Sequence, residues 1–149
     1  MSTHKDLLLR IASWAGALGV LATGADHLEE YTANHFSSVP TIGTLFLLNF
    51  IGSVVIAAGL LVPLPRIAPR SVRLVRMTSA AAGISLAGLS LLGLWISETS
   101  SLFGFTDNGT RPAIVAAIAA EAFTVISLCA YLVLSRRRGW RAGPLLPSP

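Results

Sequence analysis

The sequence predicts an all-α integral membrane protein: a four-helix bundle whose chain crosses a bilayer four times and keeps both termini in the cytoplasm. Three observations carry that expectation: long unbroken apolar runs, a composition unsuited to water, and a one-sided placement of arginine. Of 149 residues, 53% are hydrophobic and 12% charged, with a mean hydropathy of +0.69. That balance excludes an ordinary soluble core wrapped in a charged surface.

Crossing a hydrocarbon core about 30 Å thick takes about 20 apolar residues of helix at about 1.5 Å each. Four segments of one domain, residues 1–138, meet the requirement: Leu7 to Ala25, Thr41 to Val62, Met77 to Ser97 and Pro112 to Leu134. Helix is expected because a spanning segment must satisfy its own backbone groups, and no segment alternates as a barrel strand would.

The first span opens with Lys5 and Arg10. Those cations, the apolar stretch and Ala22-Thr23-Gly24-Ala25 also fit a cleaved signal peptide, but Trp14 and the length of the run favour a retained span. The connection between the second and third spans carries Arg66, Arg70, Arg73 and Arg76, stiffened by Pro63, Pro65 and Pro69. Arg136, Arg137, Arg138 and Arg141 follow the fourth span, in a tail (residues 139–149) expected to be disordered and cytoplasmic. Only Arg111 falls on the other side, where Asp26, Glu29, Glu30, Glu98 and Asp107 gather. Cytoplasmic loops accumulate Lys and Arg, which sets the orientation and places the protein in the cell membrane. The net charge of +4 is thus a topology signal, with the lipid bilayer as partner and no nucleic acid.

The outer connections differ. Asp26 to Pro40 brings His27 and His35 together with carboxylates, and His27, Glu30, His35 and Glu98 are candidate metal ligands. On one continuous helix His27 and His35 stand about 12 Å apart and cannot share an ion, unless the helix breaks near Thr32. A solvated acidic loop with an interfacial tyrosine is the plainer reading. The second outer loop, Glu98 to Arg111, holds Leu102, Phe103 and Phe105 before a turn at Asp107-Asn108-Gly109, and dips toward the interface. Its Asn108-Gly109-Thr110 sequon is a common chance match.

Within the membrane, Glu121 lies about 13 Å deep in the fourth span, Asn49 about 12 Å in the second and Ser90 about 10 Å in the third. An ionisable group at that depth is costly and calls for a role. Small residues share its face: Ala113 and Ala117 lead to Glu121, Ser53 and Ala57 follow Asn49, and Gly83 and Ala87 precede Ser90. Ala15, Gly19 and Thr23 lead to His27 and Tyr31. The expected result is an outward-facing polar pocket of Glu121, Asn49, Ser90, His27 and Tyr31, with Glu98 near its mouth. Either Glu121 is a neutral acid gluing helices through Asn49 or Ser90, for about 1 kcal/mol, or it holds a small ligand or a proton, with His27 as gate.

The run His27-Leu28-Glu29-Glu30-Tyr31, then Val39-Pro40-Thr41-Ile42-Gly43-Thr44-Leu45-Phe46-Leu47-Leu48-Asn49, with Arg111-Pro112-Ala113-Ile114 and Glu121, resembles a group of small four-span bacterial membrane proteins of unassigned function. In size and span count the chain is also similar to the DoxX-like families. These resemblances imply a four-span fold and supply no catalytic residue.

Other chemistry is not signalled. No phosphate-binding glycine loop, cysteine pair, zinc helix or serine elbow is present, and Cys129 stands alone within the fourth span. A buried haem would need axial ligands inside the spans, where only His27, at the rim, comes near. The expectation is a protein without cofactor or catalysis. Its alternative roles are an accessory subunit of a larger membrane complex, a homo-oligomer, or a metal binder using the first outer loop.

Overall fold

The computed structural model describes residues 2–63, 69–104 and 112–139. These form α1 (Ser2–Thr32), a short 3-10 turn (Phe36–Ser38), α2 (Ile42–Leu61), α3 (Pro69–Thr99) and α4 (Pro112–Gly139). All four α-helices are long and apolar enough to cross a membrane. The chain is a four-helix bundle.

The helices outrun the apolar stretches from which spans were read. α1 continues seven residues past Ala25, to Thr32. α3 begins at Pro69, eight residues before Met77, because proline's fixed φ and missing N–H suit a first helical position. Arg70, Arg73 and Arg76 therefore stand on a helix and not in a turn. The predicted tail meets the structure only at Gly139, which closes α4. The expectations for Pro65, Arg66, Phe105, Asp107-Asn108-Gly109, Arg111 and Arg141 lie outside the described residues.

Neighbouring helices run antiparallel. Ser13 on α1 donates to the Leu60 carbonyl on α2 at 3.1 Å, while Gly24 on α1 faces Ser53. Likewise Gly16 and Gly19 of α1 face Leu128 and Thr124 of α4. α1 packs most extensively on α2 and α4 and least on α3, its diagonal partner.

The buried positions explain this geometry. On α1, Ser13, Gly16, Val20, Thr23, His27 and Glu30 repeat at alternating steps of three and four. On α4 the same spacing joins Glu121, Thr124, Leu128, Tyr131 and Ser135. Such a seam, recurring every 3.5 residues, is the pattern by which helices pack in a left-handed bundle. Trp14, Leu18, Ile126 and Cys129 point away from the bundle, where lipid would meet them.

One end of the bundle is solid and basic. Val20, Leu60, Ala80 and Leu128 are almost wholly enclosed there, with Ile56 and Tyr131 against them. Arg76 donates to the Val62 carbonyl at 2.7 Å, and Arg73 to the Ser135 carbonyl at 3.1 Å. Arg76 thus satisfies a carbonyl that the end of α2 leaves unpaired, and both cations complement the negative end of a helix.

Candidate functional site

At the opposite end the seam positions are taken by small and polar side chains, and they leave space. A cavity of about 320 Å³ lies among all four helices, in the lower part of the range of ligand pockets, about 300–1,000 Å³. α1 supplies Asp26, His27 and Glu30, α2 Asn49, α3 Ser90 and Ser97, and α4 Glu121. Ala113, Ala117 and Gly93 line it too and are too short to fill it.

Most of the wall is apolar, with Phe46, Leu86, Leu94 and Ile114 among its members. The pocket expected as polar is therefore a greasy hollow with a few convergent polar groups. Phe36, from the 3-10 turn, and Ile42 stand at its loop end. Phe36 packs on Phe46 with ring centroids 5.2 Å apart, and Phe46 meets the His27 ring edge-on at 5.1 Å. Between the 3-10 turn and α2, Thr41 adopts φ 68 and ψ −57, and the Ile42 N–H reaches the Pro40 carbonyl at 2.8 Å. This is a γ-turn of the rare positive-φ kind, a strained conformation for a β-branched residue.

His27 is held at both ring nitrogens. Nδ1 lies 2.9 Å from the Thr23 carbonyl, which can only accept, so Nδ1 carries the hydrogen. Nε2 lies 3.0 Å from the Ser90 hydroxyl, which donates to it when the ring is neutral. The Asp26 carboxylate, 4.0 Å from Nδ1, is beyond hydrogen-bond reach of it.

Among the described residues Glu121 is the most completely enclosed ionisable one, with 1% of its surface exposed. Neither carboxyl oxygen has a hydrogen-bond partner of good geometry. Ser90 and Asp26 are near enough to act on it, but Ser90 does not complete a bond. Asn49, on the facing helix, instead accepts from Ser53 at 3.3 Å. Between Glu121 and Asn49 or Ser90 no hydrogen bond of full geometry is made, and Ser90 is the neighbour close enough to interact. An unpaired buried carboxyl is expensive, more so than the Thr23 hydroxyl that also lacks a partner.

Of the five residues expected to share a pocket, Glu121, Asn49, Ser90 and His27 line one cavity, and Tyr31 does not. Tyr31 is half-buried on another face of α1, and its place is taken by Glu30, which accepts from Asn34 at 3.1 Å. Glu98 is exposed and off the cavity wall. The helix does break after Thr32, but His35 stands exposed in a left-handed conformation (φ 61) beyond it. Among the described residues no three His, Cys, Asp or Glu side chains gather as a metal ion would require. Glu30 and Asp26 were missed as pocket residues; the alternating three-and-four spacing through Thr23 and His27 was the signal that finds Glu30.

No protein-family model, curated protein or solved structure matches the chain.

Proposed function

We propose that this protein binds a small, mostly apolar molecule inside its membrane-spanning bundle, anchoring one polar head at Glu121. The observation that carries this reading is the enclosed carboxyl facing a cavity with both oxygens unpaired. A purely structural carboxyl would be expected to hold a neighbouring helix, since interhelical hydrogen bonds are what polar groups contribute in lipid. Asn49 and Ser90 supply further donors and acceptors at the same level, and the apolar wall gives the body of the ligand its place.

A second reading, proton exchange at Glu121, draws on the hydrogen-bonded His27–Ser90 pair beside it. The two readings are compatible, because a ligand that carries a proton would use both features.

In this reading the protein sits in the cytoplasmic membrane with both termini inside. The support is the arginine end, formed by the start of α1, the end of α2, the start of α3 and the end of α4. A cysteine placed at the exposed Ser71 is expected to resist a membrane-impermeant maleimide in intact cells and to react after permeabilisation. Reaction from outside would invert the assignment.

Ligand access is tested with dicyclohexylcarbodiimide, an apolar reagent that adds to a carboxylic acid in a greasy site. Mass spectrometry of the membrane-embedded protein is expected to place the adduct on Glu121, with none there in Glu121→Gln. A folded protein whose Glu121 stays unmodified would rule out a pocket open to small apolar molecules.

A further inference from the structure

We infer that the pocket fills sideways: its guest is an uncharged, lipid-soluble molecule that enters from the hydrocarbon phase through a slot between α2 and α3. This gives the route and the class of the guest proposed above, and rests on that reading.

The contact between α2 and α3 loosens from the arginine end toward the cavity. At the arginine end a Cβ at Gly59 would collide with the Ser79 hydroxyl, and Arg76 of α3 reaches the Val62 carbonyl just past α2. Two turns away, a Cβ at Gly52 would meet only Leu86 of α3, at 3.7 Å, an ordinary contact. At Gly93 of α3, which lines the cavity, no described atom of α2 comes within 4 Å of the Cβ position. α1 is closed on both sides instead. A Cβ at its Gly24 would stand 2.7 Å from Ser53 of α2, and one at Gly19 would stand 2.6 Å from Thr124 of α4.

Leucines with two faces border the gap. Leu45 and Leu48 of α2 and Leu89 of α3 line the cavity, yet 43%, 56% and 67% of their surface is exposed. At about 100° per residue, Leu45, Leu48 and Gly52 fall on one side of Asn49, the side on which Gly52 meets Leu86. Leu89 falls on the Leu86 side of Ser90 by the same count. The hollow therefore reaches the apolar flank between these two helices, at the level of Asn49 and Ser90. On the flank of α4, by contrast, the exposed Val115 and Ile118 are not cavity residues.

A guest that takes this route leaves water before it meets the pocket. A fixed charge would shed its hydration among leucines at great cost, so the slot selects against ions whatever their sign. Inside, the Glu121 carboxyl has no hydrogen-bond partner of full geometry, and a neutral hydroxyl or carbonyl on the guest supplies one. The volume of about 320 Å³ admits a compact body, not a two-chain lipid.

The route is tested in the full chain carrying Cys129→Ser, Leu48→Cys and Leu89→Cys, reconstituted in phosphatidylcholine vesicles. Modification of Glu121 by dicyclohexylcarbodiimide is followed by mass spectrometry. Bridging the two cysteines with a short bis-methanethiosulfonate should slow that modification at least about tenfold, and releasing the bridge with dithiothreitol should restore it. Unchanged modification of the bridged chain, or failure of the bridge to form, overturns the slot and leaves the pocket standing. An unreactive Glu121 in the wild-type chain removes the pocket itself. The class is tested on the wild-type chain, which needs no variant to fold, by protection of Glu121 with three probes of one body: 1-adamantanol, adamantane and N,N,N-trimethyl-1-adamantylammonium. The alcohol is expected to protect at a concentration at least about tenfold below the hydrocarbon, and the ammonium ion not at all. Protection by the ammonium ion equal to that by the alcohol, or no protection by the alcohol, overturns the uncharged guest.

Discussion

The two ends of the bundle use the same kind of residue to opposite effect. At the arginine end, Gly16 and Gly83 sit at seam positions, and Leu128 of α4 fills the space against both; a Cβ at Gly83 would stand 2.6 Å from Leu128 Cδ1. At the acidic end, Gly93, Ala113 and Ala117 line the cavity, and even a Cβ at Gly93 would meet only ordinary contact, with Leu102 at 3.6 Å. Small residues in a membrane bundle are usually read as permission for close approach. Here they permit it only where a neighbour contributes bulk; where facing positions are also small or polar, the same choice makes a hollow.

The largest effect that would break this contrast is expected at Leu128. Leu128→Ala removes the side chain that fills the solid end and should cost about 2–5 kcal/mol, read from thermal or denaturant unfolding in detergent. A loss below about 0.5 kcal/mol, the size of an ordinary surface change, would mean the arginine end is no better packed than the other. Next come paired glycine substitutions. Gly83→Ala pushes a methyl group against Leu128, Ile56 and Val20 and should destabilise by about 1–3 kcal/mol. Gly93→Ala meets only Leu102, at 3.6 Å, and should be neutral or slightly stabilising, since alanine favours helix by up to about 1 kcal/mol. Equal losses at both would erase the distinction.

The smallest effect on stability is expected where the chemistry is richest. Glu121→Gln keeps size and loses no protein hydrogen bond, so unfolding should shift by no more than about 0.5 kcal/mol. A loss of about 1 kcal/mol or more would restore the carboxyl to the role of interhelical glue.

The helices and their antiparallel order were legible because twenty-residue apolar runs have few other uses. Glu121, Asn49 and Ser90 were legible too, since polar groups are rare in such runs and their depths can be counted. Tyr31 shows where counting failed. Steps of four residues advance 40° beyond a full turn at about 100° per residue, so two steps from Thr23 drift about 80° off the buried face. Seven residues drift only about 20°, which is why Glu30 and not Tyr31 reaches the cavity. The apolar wall was illegible for another reason: leucines and phenylalanines line a hollow only when the neighbours that would cover them are short, and that depends on four helices at once. The positive-φ turn at Thr41 had no sequence cue, as glycine or asparagine usually takes such a place.

The bond between His27 and Ser90 spans the diagonal, joining two helices that otherwise barely touch. It acts as a crossbar. α3 cannot slide or turn against α1 without giving it up, so the width of the hollow is tied to one contact of 3.0 Å. A guest must fit beside that bar or replace it, and a guest that replaced it would free the two helices to part.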